Sequence, residues 1–138
     1  EYFDAPERTP LMQSARDGDL CELFDLLLTG ELVDEQNSIG WTALTYACWH
    51  GQYEISSQLL DSGADPDVHE SYLWQRTPLS LAAEAGHFDI VRLLIAHGAN
   101  PNIYTGPEGV RAEYYARTAG HCHISEFLLH HEDRCAQR

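Results

Sequence analysis

The fold is decided by residues 77–100, which read TPLSLAAEAGHFDIVRLLIAHGAN. Thr77 can cap a helix N-terminus through its hydroxyl, and Pro78 fits the first helical position, where a missing N–H costs nothing. Gly86 can end that helix in the left-handed conformation. A second segment with apolar residues at helical spacing follows and runs to Gly98. The stretch therefore predicts two short helices joined by a tight turn.

The same unit recurs along the chain. The glycines that end the first helix of each copy are Gly18, Gly51, Gly86 and Gly120, with spacings of 33, 35 and 34 residues. One such unit cannot bury its apolar faces alone, so neighbouring units must stack. We therefore predict an all-α solenoid of four stacked helix-turn-helix repeats with degenerate terminal caps.

These units resemble the ankyrin repeat, whose signature is Thr-Pro-Leu-His-x-Ala at a period near 33. The resemblance implies a single ankyrin-repeat domain over residues 5–134, with repeats at about 5–36, 37–69, 70–104 and 105–134. Thr45 and Ser80 stand where the signature has His. The linker Val68–Gln75 carries two extra residues. The fourth unit has Arg111-Ala112-Glu113 in place of Thr-Pro-Leu, so we expect a distorted first helix there or a terminal cap with a polar outer face.

The resemblance also implies a recognition surface along the concave face, built from the turn tips and the ends of the first helices. All three tryptophans fall there, at positions that the repeat does not use for its core, and Trp and Arg are enriched at interface hot spots. An aromatic ring at a turn tip could instead pack against a neighbouring repeat. The candidate partner-binding residues are Trp41, Trp49, His50, Trp74, Arg76, Tyr104, Ile39, Leu73, Arg8, Arg16 and Glu84.

The charge of the chain narrows the class of partner. The formal net charge is −14, from 22 acidic residues against eight arginines and no lysine. This balance argues against binding nucleic acid or an anionic membrane, both of which require cationic groups. An acidic surface attracts basic proteins, although the same charge would also serve only to keep a repeat protein monomeric and in solution. We expect a basic protein partner and a monomer in its absence.

Motifs for catalysis are missing from the sequence. There is no Gly-rich phosphate loop, no GxSxG and no HExxH, and the absence of lysine excludes Schiff-base chemistry. We therefore expect no catalytic residue and no cofactor. A C-terminal group of His and Cys residues offers His130, His131 and Cys135 as zinc candidates. Cys122 and His130 would lie about 12 Å apart on a helix, too far to share an ion, so we expect no metal site.

The four cysteines contain no CxxC pair. Cys48 and Cys122 fall at positions that the third unit fills with Ala83 and Phe88, which predicts small buried apolar residues. We expect four free thiols and a reducing compartment. No charged-then-apolar leader opens the sequence, so we expect no signal peptide and a cytoplasmic protein.

The function we expect is protein binding without catalysis. The first interpretation is a protein that inhibits or sequesters its partner, such as a bacterial immunity or self-protection protein. The alternative is an adaptor or scaffold module of a larger eukaryotic signalling protein that recognises a peptide. An enzyme or zinc protein that uses the C-terminal His and Cys residues is the third.

Overall fold

A computed structural model of the chain describes residues 7–70 and 75–136, and side chains up to residue 131. Across these ranges the chain forms eight α-helices and no strand, which confirms the prediction of an all-α stack of helix pairs. The helices are α1 (Pro10–Asp17), α2 (Leu20–Leu28), α3 (Ala43–His50), α4 (Tyr53–Asp61), α5 (Pro78–Ala85), α6 (Phe88–Ala96), α7 (Ala112–Thr118) and α8 (Cys122–Ala136). No described helix is long and apolar enough to cross a membrane.

Helix ends in the first three repeats follow the predicted capping residues. The hydroxyls of Thr9, Thr42 and Thr77 each accept a hydrogen bond from the backbone N–H three residues later. In the second and third repeats, Thr45 and Ser80 return a bond to the capping residue's backbone and complete a capping box. The residues that replace the signature His therefore keep a local hydrogen-bonding role.

The helices form two layers. The first helices of the repeats (α1, α3, α5 and α7) pack closely on one another, whereas the second helices (α2, α4, α6 and α8) make fewer contacts between repeats. This difference makes the first-helix layer, which includes the turn tips, the concave side. Between the layers lies a core that includes Leu11, Leu44 and Leu79 from the first helices and Leu59, Leu94 and Leu128 from the second, each at most 1% exposed.

Side chains at the start of α4, α6 and α8 bind the repeat before each of these helices. Gln52 Nε2 donates to the carbonyl oxygen of Arg16 at 3.3 Å. His87 Nε2 donates to the backbone carbonyl oxygen of Trp49 at 3.1 Å, and His121 Nε2 donates to that of Glu84 at 3.2 Å. These bonds satisfy carbonyl groups that a helix C-terminus leaves open. His87 and His121 therefore make the same bond at equivalent positions of consecutive repeats.

The fourth repeat keeps a helical first element but places a carboxylate at one of its core positions. α7 begins after Arg111, which gives no side-chain cap. Glu113 occupies the position of Leu79 and is 8% exposed. Its Oε2 accepts hydrogen bonds from Arg117 Nε at 3.0 Å and from Ser125 Oγ at 2.7 Å. The carboxylate thus joins α7 to α8 at a place where the other repeats use apolar packing.

The prediction that Cys122 is buried is wrong, because this residue is exposed. Phe88, at the matching position in the third repeat, is half-buried, and the ring of Phe127 from the next repeat lies 5.4 Å from its ring centroid. No described helix follows α8, so no ring equivalent to that of Phe127 packs on Cys122 in the described part of the chain. Cys48 is buried as predicted, and desolvation raises its thiol pKa to about 12.

The remaining cysteines complete the comparison with the predicted thiols. Cys21 is exposed, and Cys21, Cys48 and Cys122 are all free. The side chain of Cys135 lies outside the described residues. The expectation of four free thiols therefore stays a prediction for the whole chain.

Candidate protein-binding face

Trp41 lies at the tip of the second repeat and is held within the fold. Its indole N–H donates to Glu70 Oε2 at 2.7 Å, which ties the second tip to the third. Its ring meets Tyr46 edge-on with centroids 4.9 Å apart and packs against the buried core. Trp41 therefore has the intramolecular packing that is the alternative for an aromatic ring at a turn tip. Its half-buried ring still reaches the surface of the first-helix layer.

Glu70 organises the tip of the third repeat. Its Oε1 accepts from the backbone N–H of Arg76 at 3.2 Å and from Arg76 Nε at 3.1 Å. Arg76 Nη1 continues to Glu84 Oε1 at 3.1 Å. Burial disfavours the charged guanidinium, but the hydrogen bond and charge of Glu70, with the charge of Glu84, outweigh it and raise the pKa of Arg76. Trp41, Arg76 and Glu84 are thus joined in one network through a residue that the sequence did not single out.

A signal for Glu70 exists in the repeat register. The backbone N–H of Asn37 donates to the carbonyl of Trp41, and that of Glu70 donates to the carbonyl of Arg76. The two residues therefore close equivalent tips, although the third tip is two residues longer. Gln75 adopts a φ of 49° at the position that Gly40 fills in the second tip with a φ of 88°. A residue other than glycine is strained in this region.

Trp49 and His50 end α3 on the same layer. Trp49 is half-buried, and its indole makes no hydrogen bond among the described residues, although its carbonyl binds His87. His50 is exposed. Desolvation, together with the charges of Arg16 and Arg8, lowers the pKa of His50. The charges of Arg8 and Arg16 in the first repeat therefore disfavour protonation of His50 in the second.

The other predicted site residues are more scattered. Arg8 donates to Gln13 at 2.8 Å, and Arg16 pairs with Asp17 at 3.0 Å. Ile39 is half-buried in the second tip. Tyr104 is 65% exposed at the far end of the stack, with the Arg111 guanidinium 5.6 Å from its ring centroid. Leu73 and Trp74 lie outside the described residues.

Charge divides sharply between the two layers. The described first-helix layer covers residues 7–18, 37–51, 70, 75–86 and 104–120, and it carries six carboxylates and five arginines. The second helices and their connecting turns, up to residue 131, carry twelve carboxylates and a single arginine, Arg92. The concave side is therefore close to neutral, and the strong negative charge of the chain lies on the outer side.

The C-terminal His and Cys residues do not gather into a metal site in the described part of the chain. No group of three or more His, Cys, Asp or Glu residues there could hold an ion. His130 and His131 have ring centroids 6.1 Å apart, and His131 Nδ1 bonds to the carbonyl of Phe127. Cys135, the third candidate, has no described side chain.

The chain belongs to the ankyrin-repeat family. The family model for ankyrin repeats in three copies matches residues 3–70 and 58–138. The ankyrin repeat and KH domain-containing protein mask-1 of Caenorhabditis elegans is 31% identical over 126 residues, which cover 91% of this chain and 5% of that protein. Human ankyrin repeat and SOCS box protein 3 is 34% identical over 97 residues, which cover 67% of this chain and 18% of that protein.

A bacterial protein is also similar. The putative ankyrin repeat protein YahD of Escherichia coli is 37% identical over 95 residues, which cover 64% of this chain and 46% of that protein. The chain thus spans well under two thirds of the length of these relatives. Ankyrin repeats are protein-interaction modules and are typically not catalytic, so the class of function is protein–protein interaction.

Proposed function

We propose that the first-helix layer binds a protein partner through a patch centred on Trp49, Arg76 and Glu84, with Trp41 beside them. The observation that carries this proposal is the contrast between the two central tryptophans. Trp41 is fixed by Glu70 and Tyr46, so its ring is already ordered before binding. Trp49 is half-buried with an indole N–H free of hydrogen bonds among the described residues, so it can anchor a partner and donate to it.

Arg76 contributes a restrained, partly exposed cation to this patch. Its side chain is 26% exposed and is held by two carboxylates, so little entropy is lost when a partner contacts it. His50 and Arg16 would extend the patch toward the first repeat, and Tyr104 toward the fourth. A partner that presents an aromatic or carboxylate group to Arg76 would fit the near-neutral concave side better than a strongly basic surface.

The role we propose for binding is recruitment or sequestration of the partner, and two settings fit. An adaptor role is supported by the relatives, two of which are named for a KH domain or a SOCS box besides their ankyrin repeats. In that setting the chain would bring its partner to the rest of a longer protein. An inhibitor of the immunity or self-protection type would use the same face to block the partner, and the bacterial relative is compatible with it.

The experiment compares capture by matched variants. The chain, Trp49→Ala and Tyr53→Ala would be immobilised separately and exposed to native host extract, and the bound proteins quantified by mass spectrometry. Tyr53 is the control because it is an exposed aromatic residue of the second-helix layer. We expect a partner that binds the parent and Tyr53→Ala about thirty-fold more tightly than Trp49→Ala, the size of a hot-spot truncation. If Trp49→Ala and Tyr53→Ala retain every partner equally, the proposed patch on the concave side does not bind a partner.

A further inference from the structure

The second helix of the first repeat exposes large apolar side chains. Phe24 is 42% exposed and Leu28 is 86% exposed, and they lie one turn apart on α2. Leu32 follows in the turn after the helix and is 71% exposed. We call these three residues the α2 patch. They lie in the second-helix layer, apart from the concave site.

The α2 patch is not required by the repeat architecture. The positions that match Phe24 hold Ser57, Arg92 and Glu126, and those that match Leu28 hold Asp61, Ala96 and His130. The positions that match Leu32 hold Asp65 and Asn100. The other repeats therefore stack without large apolar groups here.

Another stacked repeat would leave part of this patch exposed. Both α4 and α6 have a preceding repeat packed against them, yet Asp61 and Ala96 remain exposed. By the same geometry, Leu28 would stay exposed beneath an additional repeat. The occupant must instead approach α2 from the outer side.

Charge complementarity identifies the occupant. Residues 19–36 carry six carboxylates and no basic residue, including Glu22 and Asp25 on α2 and Glu31 beside Leu32. An apolar patch with an acidic rim suits an apolar surface that is flanked by Lys or Arg. The same rim opposes a second copy of this chain and an anionic membrane, since both would bring negative charge against negative charge.

We propose that the α2 patch docks a basic amphipathic helix of a partner protein. The apolar face of that helix covers Phe24 and Leu28, and its Lys or Arg side chains reach Glu22 and Asp25. An amphipathic helix supplies apolar residues at one-turn intervals, which matches the spacing of Phe24 and Leu28. The chain would then hold two partners, or two parts of one partner, on opposite layers.

The first test uses a defined probe. A fluorescein-labelled peptide of about 18 residues, with Leu on one helical face and Lys on the other, would be titrated with the full chain and followed by anisotropy. Control peptides replace every Lys by Glu, or keep the composition in an order without helical periodicity. Binding of the basic amphipathic peptide alone is expected. Equal binding of the Glu peptide or of the reordered peptide overturns the proposal.

Variants borrow residues from the other repeats. Phe24→Ser, Leu28→Ala and Leu32→Asn together install the uncharged equivalents Ser57, Ala96 and Asn100. We expect this triple variant to bind the probe at least about ten-fold more weakly, because it removes apolar area that binding would bury. Leu129→Ala, at a residue 42% exposed on α8, is the matched control and should bind within about two-fold of the parent. An unchanged affinity of the triple variant overturns the proposal.

Two exposed cysteines provide a footprint on the unmodified chain, which keeps the test valid even if the triple variant folds poorly. Cys21 lies one turn before Phe24, whereas Cys122 lies at the start of α8. Saturating probe should slow alkylation of Cys21 by about five-fold or more and leave Cys122 unchanged, since only the former is covered. Equal protection of both, or of neither, contradicts docking at α2. Dimerisation of the parent that the triple variant abolishes would assign the patch to a second copy instead.

Discussion

The bond between Trp41 and Glu70 gives the sharpest prediction about how the concave side is built. Trp41→Phe keeps a ring in place but removes the indole N–H that donates to Glu70 Oε2 at 2.7 Å. Glu70→Ala removes the acceptor together with the pair to Arg76. A double-mutant cycle of these two changes isolates the shared interaction from the other contacts of each residue.

The loss of stability expected for Glu70→Ala follows from the surroundings of its carboxylate. The Glu70 side chain is 12% exposed, so its hydrogen bond from Trp41 is a largely buried bond to a charged group, worth about 1.5–3 kcal/mol. The pair with Arg76 is partly exposed and adds at most about 1 kcal/mol. We therefore expect Glu70→Ala to lower the free energy of unfolding by about 3 kcal/mol, with a coupling energy to Trp41→Phe of about 1–2 kcal/mol.

The assay is urea denaturation followed by circular dichroism at 222 nm, with Glu54→Ala as the control. Glu54 is an exposed carboxylate on α4, and its removal should change stability by no more than about 0.5 kcal/mol. A coupling energy below about 0.3 kcal/mol would mean that the two residues act independently. That result would refute the view that Glu70 fixes Trp41 and joins the two tips.

Three further predictions address single residues. Gln75→Gly should raise the free energy of unfolding by about 0.5–1 kcal/mol in the same assay, because φ is 49° at this residue and glycine adopts that conformation without strain. A lower free energy of unfolding would show that contacts of the Gln side chain outweigh the strain. The pKa of His50 is lowered in the folded chain, so the unfolded chain binds a proton at this residue more readily. The free energy of unfolding should therefore fall as the pH drops below 6.5. His50→Gln should reduce that fall, which melting experiments at about pH 7.5 and about pH 5.5 would measure. An identical fall in both proteins would exclude His50 as its source. In a Cys135→Ser background, Ellman's reagent should react quickly with the exposed Cys21 and Cys122, and with the buried, neutral Cys48 only after unfolding. Rapid reaction of all three thiols would contradict the burial of Cys48.

The fold could be predicted because its determinants are local. Thr9, Thr42 and Thr77 cap helices in the structure as their sequence context predicts, and the glycine spacing fixes which helices pair. The same register would also have revealed the charge division between layers, since it assigns every carboxylate to a first or a second helix. These features depend on the position of each residue within its own repeat.

Features that depend on contacts between repeats were harder to predict. Trp41 and Glu70 are 29 residues apart, and nothing in the sequence near either indicates that they meet. The match of Cys122 to Phe88 predicts burial, yet Cys122 is exposed because no described helix packs on α8 as α8 packs on α6. Phe24 and Leu28 follow a helical spacing that is typical of a core, and only the structure distinguishes them from the buried Leu23. Burial in a stack is decided by the neighbouring repeat as well as by the residue itself.

Site-specific crosslinking tests the central claim, that a protein partner is bound by the first-helix layer, most directly. A photoreactive phenylalanine would replace Trp49 in one preparation and Tyr53 in another, and each would be irradiated in native host extract. The two residues lie four positions apart in sequence but on different layers, and both are uncharged, so the two preparations have the same overall charge. The account predicts one or more crosslinked proteins at position 49 that are competed by excess unlabelled chain and absent at position 53. Competed crosslinks at position 53 with none at position 49 would contradict it.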